Sequence, residues 1–321
     1  MLYPLTFQPI FKERVWGGRT LERLYGKQLP PGVPIGESWE ISDRPDDVSV
    51  IANGPLAGKT LRWLLQNHAT ELLGAGRETT TFPLLVKILD AQDKLSLQVH
   101  PPAAQAQALG GEPKTEMWLI AEAAPGAELY VGLKRGVTRT DFERKIQDGS
   151  VAECFHSQAV QNGDVMFLPS GRVHAIGAGN VIFEIQQNSD TTYRVFDWNR
   201  LGLDGQPREL HVAQSLASID FDDFEPRLVK SEYSRNETFA VRYLVDDPLF
   251  RANAWQVRRD KRFYVSSALP QIFGVVRGTL TLRGNNVDVA LKAGDFCLVP
   301  ASTGRITVQT ESRVELLQVE F

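Results

Sequence analysis

Two short stretches decide the fold: Gly163–His174, which reads GDVMFLPSGRVH, and Gly294–Gly304, which reads GDFCLVPASTG. Each contains a Gly-Asp turn, four apolar residues, and a second turn with Pro. This repeated turn–strand–turn pattern indicates one hairpin element that is used twice. The first copy ends at His174, whereas no histidine follows His211 in the chain. The sequence therefore predicts two related β lobes, of which only the first carries this histidine.

Short apolar or alternating segments recur along all 321 residues, for example Phe82–Leu89, Val181–Ile185 and Val314–Val319. The 26 glycines and 18 prolines separate them at close intervals. Many short strands with frequent turns are typical of a β-sandwich or barrel rather than a βαβ fold. We expect a mainly β protein of two β-barrel (jelly-roll) lobes with a few short helices.

Few segments have a helical pattern. Thr60–Leu73 has apolar residues at helical spacing, and a helix is expected to begin at Thr140, where Thr-Asp-Phe-Glu fits a capping box. The acidic run Asp220–Glu225 marks the expected junction between lobes. Residues 1–220 would then form a first lobe with small helical insertions, and residues 221–321 a second, degenerate lobe.

Composition excludes several classes of protein. The 35 basic and 39 acidic residues give a net charge of -4, which argues against general binding to nucleic acid or anionic membranes. No apolar run is long enough to cross a bilayer, and the N-terminus lacks the pattern of a signal peptide. Cys154 and Cys297 form no CxxC pair. A cytoplasmic protein, monomeric or weakly dimeric, is expected.

The segment Lys94–His100 reads KLSLQVH and carries the chemistry. Alternate side chains of a strand share a face, so Ser96, Gln98 and His100 are expected on one face and the apolar residues on the other. Gln98 and His100 can then reach one metal ion, to which Glu116 and His174 could add a carboxylate and a second imidazole. The alternative is that Gln98 and His100 form a hydrogen-bonded polar pair.

The order Gln-x-His, then an acid, then Gly-x5-Pro-x-Gly-x2-His resembles the two motifs of the cupin superfamily. At family level the chain resembles type I mannose-6-phosphate isomerases, in particular their short bacterial form. The similar segments cover most of residues 1–215: VWGG (Val15–Gly18), GESWEIS (Gly36–Ser42), FPLLVKILDA (Phe82–Ala91), LSLQVHP (Leu95–Pro101), KTEMW (Lys114–Trp118), GDVMFLPSGRVHAIG (Gly163–Gly177), EIQQNSDTTYRVFDWNR (Glu184–Arg200) and PRELH (Pro207–His211).

The resemblance implies one zinc ion per chain, held by Gln98, His100, Glu116 and His174, and the absence of histidine after His211 predicts a metal-free second lobe. It also implies Arg194 at the active site, with Glu184 and Asp190 nearby. Glu184 is expected to hold Arg194 in place. For proton transfer, Lys114, Glu184 and a zinc-bound water remain open. Ser96 and Arg200 are candidate contacts for a substrate phosphate, while His211 is expected to orient a loop.

The expected activity is the interconversion of mannose 6-phosphate and fructose 6-phosphate through an enediol. Zinc with one carboxylate and three neutral ligands keeps a net positive charge, which suits polarisation of a sugar oxygen. Arg194 would add fixed positive charge where the oxyanion develops. Two other functions remain open at this point: a different cupin metalloenzyme, such as an iron-dependent dioxygenase, and a sugar-phosphate-binding regulatory protein.

Overall fold

The computed structural model describes residues 1–321 as a largely antiparallel β structure with five short α-helices. Thirteen strands precede residue 200. They are β1 (Ile10–Gly18), β2 (Ile35–Ile41), β3 (Asp43–Arg44), β4 (Asp47–Val48), β5 (Leu84–Ala91), β6 (Leu97–Val99), β7 (Glu116–Ala123), β8 (Glu128–Leu133), β9 (Phe155–Ala159), β10 (Val165–Leu168), β11 (His174–Ile176), β12 (Asn180–Gln187) and β13 (Tyr193–Phe196).

Ten further strands follow residue 230. They are β14 (Ser234–Arg235), β15 (Phe239–Asp246), β16 (Arg251–Val257), β17 (Arg262–Ser266), β18 (Gln271–Arg277), β19 (Thr279–Gly284), β20 (Val287–Lys292), β21 (Phe296–Val299), β22 (Arg305–Thr310) and β23 (Val314–Glu320). The mainly β class predicted from the sequence is confirmed.

The helices are α1 (Thr20–Tyr25), α2 (Leu61–Leu73), α3 (Ala103–Ala106), α4 (Arg139–Asp148) and α5 (Val212–Ser218). The predicted helix at Thr60 is present as α2, with the Thr60 side chain accepting a hydrogen bond from the Trp63 amide. The predicted start at Thr140 is wrong: Thr138 is the N-cap of α4, and it forms a capping box with Asp141. No helix is both long and apolar enough to cross a membrane.

The two sets of strands share one topology. The first set forms a six-stranded sheet, β1-β2-β5-β12-β7-β10, and a five-stranded sheet, β13-β6-β11-β8-β9. The second set forms β14-β15-β16-β23-β18-β21 and β17-β22-β19-β20. Each element of the first six-stranded order has a counterpart at the same place in the second, so the sequence repeat at Gly163 and Gly294 extends to the whole lobe.

Strand register shows what differs between the lobes. Glu116 lies opposite Leu168, and at the same place in the repeat Gln271 lies opposite Val299. His174 lies opposite Gln98, whereas in the corresponding strand pair the inward-facing Ile306 lies opposite Val265. Ile306 and Val265 belong to a cluster of 14 buried apolar residues between the two sheets of the second lobe. At this strand pair the second lobe therefore holds apolar side chains where the first lobe holds Gln98 and His174, and its buried Gln271 accepts a hydrogen bond from Gln318.

A shared core joins the lobes. One cluster of 38 buried residues draws on both sets of strands, and near the N-terminus Leu5 forms an isolated bridge with Leu298. Burial of this apolar surface stabilises the contact between the lobes. The proposed boundary near residue 220 falls between α5 and β14, and it remains a prediction.

Candidate metal centre and its cavity

Three predicted ligands, His100, Glu116 and His174, meet in the interior of the first lobe. All three are buried, and their potential ligand atoms lie within 4.8 Å of one another. Glu116 Oε2 is 3.7 Å from His100 Nε2, and Glu116 Oε1 is 3.5 Å from His174 Nε2. A tetrahedral metal with bonds of about 2.1 Å places its ligands ~3.4 Å apart, so this spacing suits one metal ion.

Short strands bring these residues together. Leu97 and Val99 of β6 pack into an apolar cluster on one side of the strand, which directs Gln98 between them to the other side. The expected alternation is therefore present within β6, whereas Leu95, which precedes the strand, lines the cavity together with Ser96. β11 pairs with β6 so that His174 lies directly opposite Gln98.

Both imidazoles are oriented by backbone carbonyls. His100 Nδ1 donates to the Thr191 oxygen at 2.8 Å, and His174 Nδ1 donates to the Arg172 oxygen at 2.9 Å. Each ring therefore presents an unprotonated Nε2 to Glu116, an arrangement common among metal-binding histidines. Burial, reinforced by the Lys114 ammonium, lowers the pKa of His174 to about 3 and holds the pKa of His100 well below its usual range. Both rings are thus in the neutral form that binds metals.

Glu116 is a buried carboxylate without hydrogen bonds. Neither of its oxygens accepts one, although Lys114 Nζ lies 2.7 Å from Oε2. Burial raises the pKa of Glu116 despite the opposing effect of Lys114. A buried carboxylate that lacks hydrogen bonds is costly, and a divalent cation between Glu116 and the two Nε2 atoms would supply the missing interactions. The residues present therefore fit a metal ion.

Gln98 lies beside the cluster. Its Nε2 is 3.2 Å from His174 Nε2, and its Oε1 accepts a hydrogen bond from Ser96 Oγ at 3.3 Å. A half-turn of the amide exchanges oxygen and nitrogen at nearly the same positions. The side chain can therefore present a neutral oxygen to a cation at this place.

A cavity of about 630 Å³ opens next to the cluster. The predicted site residues that line it are Ser96, Gln98, Lys114, Glu184, Asp190 and Arg194. Thr192 lines it as well, whereas Tyr193 and Val195 belong to an apolar cluster, as the predicted alternation along β13 requires. Among the residues predicted to contact the substrate, Ser96 and Asp190 line the cavity and Arg200 does not.

Arg194 faces the cavity but is not held by Glu184. Its Nη1 donates to the Glu209 carbonyl oxygen at 2.6 Å, and its Nε is buried without a partner. Glu184 instead accepts a hydrogen bond from Trp118 Nε1 at 2.8 Å and lies 3.4 Å from Lys87 Nζ. The expected Glu184–Arg194 contact is therefore wrong, because Glu184 is bound by Trp118 and Lys87, which lie opposite it on the neighbouring strands, while Arg194 is bound by the Glu209 carbonyl.

A buried charge network flanks Glu184. Lys87 Nζ lies between Glu184 and Glu37, 3.5 Å from the latter, and Glu37 also accepts hydrogen bonds from Trp39 and Arg14. Burial alone would raise the pKa of Glu37, but Lys87 and Arg14 outweigh it and lower the value to about 2. Burial would likewise lower the pKa of Lys87, but Glu37 and Glu184 raise it. Lys87 is therefore a fixed positive charge in the cavity wall.

Two arginines share the buried carboxylate of Asp197, yet only one reaches the cavity. Arg208 forms a two-nitrogen pair with Asp197 and lines the cavity. Arg200 also pairs with Asp197 at 2.8 Å, but its other nitrogen is bound to Asp93 and to the Lys94 carbonyl.

Sequence reasoning missed six charged residues of the cavity: Glu13, Arg14, Glu37, Lys87, Asp204 and Arg208. The signal that could have revealed Lys87 is a lone charge inside the apolar run LLVKILDA, all eight residues of which are buried. Glu37 offers the same signal in β2, where every residue is buried. No comparable signal distinguishes Arg208 from Arg200.

Comparison with known proteins identifies related chains. A profile of the family described as "Phosphomannose isomerase type I, catalytic domain" matches residues 5–118. The chain is 33% identical to the probable mannose-6-phosphate isomerase GmuF of Bacillus subtilis over 96% of its length and 97% of the relative's. It is 35% identical to the mannose-6-phosphate isomerase of Streptococcus mutans, over 94% and 93% of the two chains.

The crystal structure of the mannose 6-phosphate isomerase from Bacillus subtilis superposes on this chain with a TM-score of 0.90. The identity is 30%, and the superposition covers 100% of both chains. The cupin-type fold expected from the sequence motifs is thereby confirmed.

The cluster yields a prediction about bound metal. His100→Ala, Glu116→Ala and His174→Ala should each fold and lose most of the one bound metal ion, because each removes a ligand that the others cannot replace. The matched control is Gln271→Ala, which changes the position equivalent to Glu116 in the second lobe and should leave the metal content unchanged. Elemental analysis of the purified variants, with circular dichroism to check folding, measures the effect. Unchanged metal in all three cluster variants would refute the site.

Proposed function

The chain belongs to the type I mannose-6-phosphate isomerase family, and from that premise we propose that it interconverts mannose 6-phosphate and fructose 6-phosphate. The proposed cofactor is one zinc ion per chain, with the ligands Gln98, His100, Glu116 and His174. The observation that carries the proposal is the buried His-Glu-His cluster beside a cavity lined by Arg194. Full-length likeness to isomerases disfavours both alternatives raised by the sequence, the iron dioxygenase and the regulatory protein.

The donor set suits Lewis-acid chemistry. One carboxylate, two neutral imidazoles and one amide oxygen leave a bound zinc ion with net positive charge, which polarises a sugar oxygen. Softer thiolate ligands are absent from the cluster, and both cysteines of the chain are free and buried elsewhere. Two reduced thiols fit our proposal of a cytoplasmic location.

Arg194 is assigned to the developing enediolate. Aldose–ketose isomerisation removes a proton from C2, returns one to C1, and passes through a species with negative charge on oxygen. A fixed guanidinium at the cavity wall stabilises that charge more than it stabilises the neutral sugar, so it accelerates the reaction. Its partly buried position strengthens the interaction, because water is excluded on one side.

Lys114 and Glu184 are assigned to proton transfer. Both side chains are buried and both line the cavity. Lys114 contacts Glu116 and His100 directly, at 2.7 and 3.3 Å. Glu184 is fixed by Trp118 and Lys87, so its carboxylate has a defined direction. Positioned acid–base groups of this kind contribute about 10²–10⁴-fold to a rate.

The substrate phosphate is assigned to Arg208, with Ser96 and Asp190 as contacts for sugar hydroxyls. A dianionic phosphate requires fixed cations, and Nη1 of Arg208 is available to it because Nε and Nη2 pair with Asp197. Arg208 faces the cavity and is oriented by the buried Asp197, whereas Arg200 is occupied by Asp197 and Asp93. The cluster and the cavity both come from a single chain, so a monomer can carry the activity.

The activity itself is tested in a coupled assay that measures fructose 6-phosphate formed from mannose 6-phosphate. We expect turnover by the purified protein, loss of turnover on dialysis against a chelator, and recovery when zinc is returned. Turnover that persists after complete chelation would contradict the metal mechanism, and no turnover by the zinc-loaded protein would contradict the assigned substrate.

Arg194→Ala should lower kcat at least a hundredfold, which is about 3 kcal/mol of transition-state stabilisation, and leave zinc content unchanged. Arg194→Lys should restore only part of the lost kcat, because the point charge of an ammonium cannot reproduce the planar guanidinium. Steady-state kinetics with zinc-replete protein make the measurement. Near-normal kcat in Arg194→Ala would show that the arginine is structural.

The two arginines on Asp197 form a matched pair for the phosphate assignment. Arg208→Gln should raise KM for mannose 6-phosphate by roughly tenfold to a hundredfold with a smaller change in kcat, because ground state and transition state carry the same phosphate charge. Arg200→Gln removes an arginine from the same carboxylate but away from the cavity, so KM should change by less than about threefold. A larger KM effect from Arg200 than from Arg208 would overturn the assignment.

A further inference from the structure

Arg194 lies on an edge strand. β13 is the first strand of the five-stranded sheet, and it pairs only with β6. Backbone groups at a sheet edge need partners outside the sheet. His211 supplies a partner for both backbone groups of Arg194. The His211 N–H donates to the Arg194 carbonyl at 2.8 Å, and the Arg194 N–H donates to His211 Nδ1 at 3.3 Å. An imidazole nitrogen thus takes the place of a main-chain acceptor.

The same segment also holds the other end of Arg194. Two residues before His211, the Glu209 carbonyl accepts a hydrogen bond from Arg194 Nη1 at 2.6 Å. Residues 209–211 therefore fix Arg194 at its backbone and at its guanidinium. No side-chain carboxylate shares this task, and Arg194 Nε has no partner. The direction of the guanidinium consequently depends on this segment.

The His211 side chain has no other hydrogen bond. His211 is the N-cap of α5, but its side chain makes no capping hydrogen bond to that helix. Its half-buried ring packs against Tyr193, with ring centroids 6.0 Å apart. Because Nδ1 accepts a hydrogen bond, the proton of the neutral ring is on Nε2, which lies 4.0 Å from Glu209 Oε2.

We infer that His211 is a positioning residue, which holds Arg194 in the direction from which the guanidinium reaches the reacting sugar. The inference rests on the role proposed above for Arg194. Electrostatic stabilisation of a transition state depends on donors that are already oriented before the reaction. Small displacements of such a group lower kcat, while ground-state binding of the sugar phosphate through other residues is retained.

The test compares His211→Ala, His211→Asn and His211→Gln by steady-state kinetics on zinc-loaded protein. The Ala variant should lower kcat about tenfold, with KM within twofold of the original and zinc content unchanged. Asn places an acceptor oxygen at the same distance from the backbone as Nδ1, so kcat should return to within about threefold. Gln places its oxygen one bond further out and should not restore kcat. If the Ala variant fails to fold, the Asn–Gln pair still decides the question.

His156→Ala is the matched control. His156 is another half-buried histidine, on β9 at the opposite edge of the same sheet, and its loss should leave kcat unchanged. In an Arg194→Ala background, His211→Ala should cause no further loss, because the two residues act as a unit.

Two results would overturn the inference while Arg194 keeps its role: kcat within twofold of the original in His211→Ala, or Asn no better than Gln. Near-normal kcat in Arg194→Ala would instead remove the proposed role of the arginine and the inference with it, so the two failures are distinguishable.

Discussion

A carboxylate with no exposed surface and no hydrogen bond to either oxygen, Glu116, lies between two imidazoles in the interior of the first lobe. Such a group is tolerated only where a cation balances it. Lys114 supplies one positive charge, close to Glu116 Oε2 and His100 Nε2, while His174 Nε2 lies beside Glu116 Oε1 and the Gln98 amide. A divalent ion satisfies the carboxylate and both rings together. The strand pairings and the carbonyls that orient the two rings bring these groups to one point.

The duplicated fold shows why the metal-binding cluster is present in only one lobe. Both lobes arrange a six-stranded sheet in the same order, yet Gln271 occupies the place of Glu116, and the strand pair that corresponds to Gln98 and His174 presents Val265 and Ile306 to the interior. With apolar side chains and the neutral, hydrogen-bonded Gln271 and Gln318 inside, the second lobe needs no cation and gains stability from packing instead. Its other face shares the large core that joins the lobes. We regard it as the scaffold against which the metal-binding lobe is held.

Local sequence rules predicted the parts of the site that lie on single strands. Alternation placed Gln98 opposite Leu97 and Val99, and it placed Arg194 opposite Tyr193, because a strand has only two faces. Contacts between strands were beyond such rules. The expected Glu184–Arg194 pair is absent because Glu184 contacts Lys87 and Trp118 on the neighbouring strands of its own sheet, while Arg194 donates to the Glu209 carbonyl. Whether Arg200 or Arg208 faces the cavity depends on the path of the loop after β13, which no periodicity encodes.

The central claim, that a metal ion completes the Glu116 cluster, is tested most directly by anomalous diffraction at the zinc absorption edge from crystals of zinc-loaded protein. The account predicts one strong peak per chain, bounded by Glu116 and the Nε2 atoms of His100 and His174, with the Gln98 amide oxygen at about 2.0–2.3 Å from it. No peak is expected inside the second lobe. A map without a peak at Glu116, or with an equally strong one between Gln271 and Ile306, would contradict the account.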